Sequence, residues 1–409
     1  MPAVLDLAPY AGWVYPNETV IEWSVLIAVY PYITGLVAGA FTVSSLYQVF
    51  DMQRFKPVAH LALLTSLAFM FFVPLPLLLH LGHPERALNV MLTPHLTSAM
   101  AIFGYIATFY LCLLILEGWF AFRPYIVGQA QQGSGWLGMF YRVLTLGSYD
   151  VSGNAMHYDR KWIFALAVIG IPAAHGLHGY VGFIFGSLKS REWWSSDLMP
   201  LVFLFSAIIS GVALVIAIYV GSCKLRRTRV DLDCLKGLAC TLWGFIMVVI
   251  VLEGLEFANI VYKAREGIEA IVQYVTGPLL IPYFVIQFAI GAVTPLLILT
   301  FLIWRGISGR ALVVGVTVSA CLVLVSVMMM RWNVVIGGQE ISKTGKGLLT
   351  YHMLILGREG AITAAVLVLA PLAVLYGLVR LFPPVECWEA PDADTDVVGV
   401  VPELASQPT

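Results

Sequence analysis

Ionisable side chains within apolar stretches are the feature of this sequence that can do chemistry. Charged groups are costly in hydrocarbon, so within a membrane they normally face a bundle interior, a cavity or a partner. Stretches long enough to cross a bilayer contain such residues, or end with them, at these positions: His80, His175, His178, Glu253, Glu256, Arg331 and Glu359. The sequence therefore predicts a membrane protein with an internal polar site.

Two pairs of these residues have helical spacing. His175 and His178 are three residues apart, as are Glu253 and Glu256, so each pair lies on one face of a helix. The carboxylates can exchange protons with a substrate, or they can form an interhelical hydrogen bond that only fixes packing. The imidazoles can pack as neutral groups, hydrogen-bond a quinone or ligate a b-type haem. Spacing alone leaves these alternatives open.

Composition places lipid around most of the chain. Of its 409 residues, 60% are hydrophobic and 11% are charged, and the mean hydropathy is +0.87. A single soluble core cannot hide that much apolar surface. The net charge of −1 argues against a nucleic-acid partner, because such surfaces need clustered Lys and Arg. None of the six cysteines belongs to a C-x-x-C motif, so we expect no iron–sulfur cluster or other metal site in this chain.

Continuous apolar runs of roughly 20 residues predict transmembrane helices. They indicate an all-α, polytopic bundle of about nine spans (roughly eight to ten), arranged as two four-helix bundles plus extra helices. An extra helix within Leu348–Leu356 or near Trp136–Leu146 would change the count. Gly35 and Gly39 form a G-x-x-x-G step, which favours close helix packing. The predicted spans are Trp23–Val49, Pro57–His80, Leu96–Phe120, Lys161–Ser187, Leu198–Cys223, Lys236–Val261, Pro278–Trp304, Ala311–Met330 and Gly360–Phe382.

Basic loops predict the orientation of these spans. The loop after the fifth span is the most basic, with its Lys and Arg residues between 224 and 236, and is the best cytoplasmic candidate. No basic segment precedes the first apolar run, so we expect the first span to remain uncleaved. Most of the ionisable residues then lie toward the outside, which predicts an outward-opening polar site. The predicted regions are an external N-terminal segment (1–22), a transmembrane domain (23–382) with a long inner loop (121–160), and an acidic cytoplasmic tail (383–409).

Three sequence motifs resemble a known family. The run HLGHPERALNVMLTPHLTSAM (His80–Met100) resembles the L-G-x-P-x-R turn and the P-x-x-S-x-M helix start of the NrfD/PsrC family of quinone-interacting membrane subunits. The stretches Ile171–Pro200 and RWNVVIGGQ (Arg331–Gln339) add to the resemblance, which extends over nearly all of 23–382. Within the family, the sequence looks most like the DsrP branch, from the DsrMKJOP sulfur-metabolism complex.

This resemblance implies partners and a substrate. Family members have no redox cofactor of their own, neither haem nor iron–sulfur cluster, and exchange electrons between iron–sulfur partners and menaquinone or ubiquinone. The implied setting is the cytoplasmic (inner) membrane of a bacterium or archaeon. The implied neighbours are a periplasmic ferredoxin-like iron–sulfur subunit (DsrO-like), a multihaem cytochrome c (DsrJ-like), a haem b membrane subunit (DsrM-like) and a cytoplasmic iron–sulfur subunit (DsrK-like).

Combined with the outward clustering, the resemblance implies a quinone pocket between the first four spans. Its candidate residues are Tyr30, Tyr32, His80, His83, His95, Ser98, His175 and His178. Proton exchange is assigned to His178, Glu253 and Glu256, and no metal site is expected.

Other interpretations of the same residues stay open. Arg331 can pair with Glu359 or Glu253 through its guanidinium fork. An inner proton path is also a hypothesis, through Glu117, Ser44, Ser45 and Gln48. The alternatives to a quinone-reactive redox subunit are a secondary transporter, in which Glu253 and Glu256 bind a coupling proton or ion, and a b-type cytochrome membrane anchor.

Overall fold

The computed structural model describes residues 20–263, 268–345 and 347–384, together with 397–398. In these ranges, nine helical segments are long and apolar enough to cross a membrane, which confirms the predicted all-α bundle. The helices are α1 (Val25–Gln48), α2 (Lys56–Met70), α3 (Leu75–His80), α4 (Asn89–Leu92), α5 (Ala99–Gln132), α6 (Gly135–Leu144), α7 (Gly153–Gly186), α8 (Met199–Arg226), α9 (Leu232–Lys263), α10 (Ile268–Thr276), the π-helical segment Leu280–Val293, α11 (Thr294–Trp304), α12 (Arg310–Val335), α13 (Gly337–Glu340) and α14 (Ala361–Leu381). Two antiparallel strands of two residues each, β1 (Val230–Asp231) and β2 (Val397–Val398), form the sheet.

Helix contacts divide the spans into two groups of four. Helices α1, α2, α5 and α7 form one bundle, and α8, α9, α12 and the π-helical segment with α11 form the other. The bundles meet where α1 packs on α8 and α12 and where α7 packs on α8, while α14 packs outside the first bundle on α2. We call the end of the molecule where α1 begins the Trp23 end, and the opposite end the Arg227 end.

Glycines bring the two bundles into backbone contact. Gly39 on α1 faces Gly211 on α8, and a Cβ atom built at Gly39 would lie 2.7 Å from the Cα of Gly211. One turn away on α1, Gly35 lies against the His178 ring and the backbone of Ala207. The G-x-x-x-G step therefore forms the seam between the bundles, because no larger residue leaves room for both backbones.

Irregular backbone interrupts two spans. The second span breaks between Met70 and Leu75, where Pro74 and Pro76 cannot continue the hydrogen-bond ladder. The seventh span begins as the π-helical segment and becomes regular only at α11, whose first turn contains Pro295. Such local unwinding inside a bundle frequently marks a functional site.

The predicted long inner loop at 121–160 is mostly helical. Helix α5 continues to Gln132, α6 follows after a short turn, and α7 begins at Gly153, so the third and fourth spans extend beyond the membrane. A buried ion pair joins the two extensions, with Arg123 Nε 2.8 Å from Asp159 Oδ2. Helix α6 is the additional helix considered near Trp136–Leu146, but its 10 residues are too few to span a bilayer. The count of nine spans is unchanged.

The terminal regions lie largely outside the described residues. Of the expected external segment only residues 20–22 are described, and of the acidic tail only 383–384 and 397–398. Val397 and Val398 pair with Asp231 and Val230, next to the basic turn between α8 and α9. That pairing places this part of the tail at the Arg227 end, and the orientation of the molecule in its membrane stays a prediction.

Gly211→Ala should destabilise the seam between the bundles. A Cβ atom at this position would lie 2.2 Å from the carbonyl carbon of Gly39. Backbone would have to move, so we expect the free energy of unfolding to fall by about 3 kcal/mol or more. Gly221→Ala is the control, because a Cβ atom there meets open space on the same helix. Thermal unfolding in detergent compares the two variants, and equal midpoints would contradict the close approach of α1 and α8.

Candidate functional site

A completely buried arginine joins the two bundles near the Trp23 end. The Nη2 atom of Arg331 on α12 donates to Ser206 Oγ on α8 at 2.6 Å and to His178 Nε2 on α7 at 2.9 Å. Its guanidinium carbon lies 4.0 Å from the centre of the Phe203 ring, a cation–π contact. All of these partners are neutral or aromatic. Of the two partners considered for Arg331, Glu359 binds His80 instead, and Glu253 bonds to Gln287 while lying within electrostatic reach of the guanidinium.

The hydrogen bond to Arg331 determines the tautomer of His178. A guanidinium can only donate, so Nε2 of His178 must accept and Nδ1 must hold the hydrogen. That Nδ1 is buried and has no hydrogen-bond partner among the described residues. The ring also stacks on Phe203, with 5.7 Å between the ring centres. His178 is therefore a neutral acceptor for a buried cation, with one unused donor.

Two predicted tyrosines line the same region from α1. Tyr30 and Tyr32 are buried and lie within electrostatic reach of Arg331. The Tyr32 hydroxyl donates to the backbone carbonyl of Leu324 on α12 at 3.2 Å. Tyr30, Tyr32 and His178 thus all lie near Arg331, which was not among the predicted quinone residues, and their role in quinone binding stays a prediction.

A second polar network surrounds Glu253 in the other bundle. Gln287 Nε2, on the π-helical segment, donates to Glu253 Oε2 at 2.9 Å, and Asn333 Nδ2 donates to Gln287 Oε1 at 2.8 Å. Ser326 donates to the Gln287 carbonyl at 2.9 Å. Glu253 and Ser326 also line a cavity large enough for about one water molecule. The hydrogen-bond chain therefore extends from a buried carboxylate to α12, two residues from Arg331.

Glu256 occupies a shallower position than Glu253. Ser196 donates to its Oε2 at 2.6 Å, and the side chain is half-buried. Toward the Trp23 end, Asn259 and Lys263 of the same helix line a second small pocket. The carboxylates thus follow one stripe of α9, from this pocket to the buried network.

Residues from three different spans converge at the surface of the Trp23 end. His80 Nδ1, at the end of α3, lies 3.0 Å from Glu359 Oε2, just before α14. Ser24, which precedes α1, has its hydroxyl 3.5 Å from the same nitrogen. The His80 and Glu359 side chains are 22% and 32% exposed. The pair can therefore be reached from outside the bundle, unlike His178.

The remaining predicted quinone residues do not join these clusters. The exposed rings of His83 and His95 lie 2.9 Å from Glu85 and 3.0 Å from Thr97, near neighbours in sequence, and the backbone N–H of His95 donates to the Tyr105 hydroxyl on α5 at 3.2 Å. Ser98 accepts the first-turn N–H of Ala101 and so caps α5. His175 lies 2.7 Å from the Ile171 carbonyl and 3.4 Å from the Thr42 hydroxyl, on the first bundle.

Sequence reasoning missed several residues that hold the site. Trp193 and Trp194 donate to the carbonyls of Asn333 and Val334 at 3.1 and 2.5 Å, which fixes the end of α12. Tyr274 of α10 donates to the Glu340 carboxylate. Burial, and to a smaller extent the negative charge of Glu340, raises the pKa of Tyr274. The sequence could have indicated Gln287 and Asn333, since polar amides are rare within apolar spans. Nothing in the sequence indicated Ser206.

Comparison with known proteins identifies the family. A family model described as polysulphide reductase, NrfD, matches residues 14–342. The chain belongs to the NrfD family. Both networks around Arg331 and Glu253 lie within the matched residues.

Curated relatives of this NrfD-family chain include membrane proteins of several oxidoreductases. It is 31% identical to a selenate reductase subunit of Mesobacillus selenatarsenatis, over 77% of this chain and 73% of that protein. It is 27% identical to a putative dimethyl sulfoxide reductase membrane subunit of Halobacterium salinarum, over 53% and 49%. It is 24% identical to an Hdr-like menaquinol oxidoreductase integral membrane subunit of Archaeoglobus fulgidus, over 58% and 52%.

The geometry of this NrfD-family site is unfavourable for haem ligation at His178. The Nε2 atom that would bind iron already accepts a hydrogen bond from Arg331, and the adjacent guanidinium charge would repel a metal cation. Among the residues that the structure describes, there is also no group of three or more His, Cys, Asp and Glu side chains placed to hold a metal ion.

Ser206→Ala should destabilise the protein through Arg331. The change removes one acceptor from a buried guanidinium, which costs about 1–3 kcal/mol. Ser210→Ala is a matched control, because both serines are fully buried on α8 and both donate to the carbonyl three residues earlier, at 2.8 and 3.0 Å. Thermal unfolding should therefore show a larger loss for Ser206→Ala. Equal losses would mean that the bond to Arg331 contributes nothing to stability.

Proposed function

We propose that this chain is the quinone-reactive membrane subunit of an oxidoreductase complex. It exchanges electrons between a menaquinone or ubiquinone pool and iron–sulfur partner subunits, without a redox cofactor of its own. The observation that supports this most directly is the accessible His80–Glu359 pair, at the same end of the molecule as a buried polar centre. The relatives add support, since one is named as a menaquinol oxidoreductase membrane subunit and another as a subunit of selenate reductase.

His80 is the residue that we assign to the quinone headgroup. Its Nδ1 faces the Glu359 carboxylate, and its Nε2 has no hydrogen bond within the described part of the chain. A neutral imidazole can accept a proton at Nε2 from a quinol hydroxyl, while the carboxylate at Nδ1 stabilises the imidazolium that forms. Oxidation of one quinol releases two protons and two electrons, and the electrons leave to the partner. Quinone reduction is the reverse.

The buried centre is proposed to exchange protons with this site. Arg331 holds a positive charge near Tyr30 and Tyr32, and Glu253 supplies a carboxylate connected through amide groups to the same helix. His178 has an unused N–H in this centre, so a small rearrangement gives it a new acceptor. Glu256 extends the stripe of acidic residues toward the Trp23 end. We therefore keep His178, Glu253 and Glu256 as proton-exchanging residues, with His80 in contact with substrate.

The exposed apolar surface near His80 suits an electron-transfer partner. Leu88, Leu92 and Leu96 are exposed between α3 and α5, and Leu354 and Leu356 are exposed just before α14. These residues flank the proposed quinone site at the Trp23 end. A ferredoxin-like subunit docked there would bring its cluster close to the headgroup. We propose the DsrO-like subunit for this position, with DsrJ-, DsrM- and DsrK-like subunits elsewhere in a sulfur-metabolism complex of the cytoplasmic membrane.

His80→Ala should lower quinol turnover by at least about 100-fold, the usual contribution of a positioned general base. Turnover is measured with a soluble quinol analogue and the intact complex, after checking that all subunits co-purify. His83→Ala is the control, because His83 is exposed nearby and its ring bonds to the adjacent exposed Glu85 rather than to Glu359. Turnover by the His80 variant within about twofold of wild type would remove His80 from the site. If the chain purified alone, without iron or quinone, the transporter alternative would replace the whole proposal.

Glu253→Gln should lower turnover by about 100-fold or more while leaving quinone affinity unchanged. Glutamine keeps the shape of the side chain but cannot ionise, so proton exchange is lost and headgroup binding is not. Glu117→Gln is the control, since Glu117 is another buried glutamate, placed in the half of α5 toward the Arg227 end. Unchanged turnover in Glu253→Gln would exclude this carboxylate. Unchanged turnover in Glu117→Gln with lost charge movement across vesicles would support the inner proton path.

A further inference from the structure

Helix α6 exposes apolar side chains on a surface that the proposed redox function does not use. Trp136 is 75% exposed, Met139 68% and Val143 64%, and Leu146 just after the helix is 76% exposed. These four residues, spaced three or four apart, form what we call the α6 apolar stripe. Arg142 is the only charged residue of the helix. A surface of this kind is unusual in water.

The other face of α6 is docked on the first bundle. The Trp119 indole on α5 donates to the Leu144 carbonyl at 2.7 Å, and the rings of Tyr125 and Tyr141 meet edge to face. Gly138 packs against the backbone of Gly133. The farther a residue lies along α6, the earlier in α5 is the residue that it contacts. Helix α6 therefore runs antiparallel to the end of α5, back toward the membrane. The turn between them requires Gly135, whose φ is +68°.

A hydrogen bond to α14 defines the depth of α6. The Tyr141 hydroxyl donates to the Leu381 carbonyl, the last residue of α14, at 2.7 Å. Helix α14 has 21 residues and so is about 31 Å long, close to the thickness of the hydrocarbon core. Its end therefore marks the membrane boundary at the Arg227 end. Tyr141 lies at that boundary, and Trp136 lies one to two turns farther out.

We propose that α6 is a membrane-interface helix and that the α6 apolar stripe is a lipid-binding surface. It is continuous with lipid-facing surface of the third span, because Ile115 and Leu116 are exposed on α5 within about one turn of Trp119. Trp136 occupies the headgroup level, where tryptophan is enriched. The exposed Arg142 side chain reaches outward to the Gly133 carbonyl at 3.4 Å, just before Trp136 in sequence, and suits an anionic headgroup. The occupant is phospholipid at the acyl–headgroup boundary, and α6 seals the Arg227 end of the first bundle.

Site-directed spin labelling in vesicles tests this proposal. The protein, with its six native cysteines replaced, is labelled at Met139→Cys and separately at Val143→Cys, then reconstituted in a mixture of phosphatidylcholine and phosphatidylglycerol. Two reference positions calibrate the measurement: Phe109→Cys, exposed on α5 near the middle of the predicted third span, and Gln132→Cys, exposed at the end of α5. Collision rates with oxygen, which partitions into lipid, are compared with those of a water-soluble nickel chelate.

Labels at Met139 and Val143 are expected to behave like the label at Phe109, with collision rates that are higher with oxygen than with the nickel chelate. Behaviour like that of Gln132 would place the stripe in water and overturn the proposal. Low collision rates with both reagents would mean that protein covers the stripe, either a second copy or a partner subunit, and would also overturn it. Two labelled positions guard against a local effect of one substitution, and neither outcome depends on quinone turnover.

Discussion

A guanidinium with no carboxylate in hydrogen-bond contact, within the described residues, occupies the junction of the two bundles. Removing Arg331 from water costs several kcal/mol unless its donors are satisfied, so the helices around it must supply acceptors at defined positions. Ser206 and His178 both accept from Nη2, from α8 and α7, and Phe203 presents its ring face, whereas the buried Nε has no hydrogen-bond partner among the described residues. This requirement relates three helices of two bundles to one another. Close contact at Gly39 and Gly211 holds α1 in the same seam.

Charge balance then connects this junction to the second bundle. The Glu253 carboxylate lies within electrostatic reach of Arg331. The two form no direct ion pair, because the carboxylate bonds instead to a chain of side-chain amides. An ion pair would hold both groups in one state, whereas an amide chain beside a cavity for about one water molecule permits the proton on the carboxylate to change. Such an arrangement suits a protein whose substrate gains or loses protons together with electrons.

The accessible part of the proposed site lies apart from this centre. His80 and Glu359 are reached from outside the bundle, and the segments on either side of them expose leucines at the Trp23 end. At the Arg227 end the chain instead forms helical extensions joined by the Arg123–Asp159 pair. In the proposed arrangement the Trp23 end suits substrate and electron partners, and α6 at the Arg227 end suits contact with lipid.

The sequence by itself determined the class of protein, the nine spans and the residues that are expensive to bury, because transfer energies and helix length depend on local composition. It also indicated the glycine step and the two acidic positions on α9. Only the tertiary structure decided which polar groups meet. His80 and Glu359 are 279 residues apart, and His178 and Arg331 are 153 apart, so no local pattern relates them. Arg331 has several carboxylates that the sequence allows as partners, and helix packing selects a histidine and a serine. The 121–160 region shows the same limit, since its helices form through contacts between α5, α6 and α14 that hydropathy does not register.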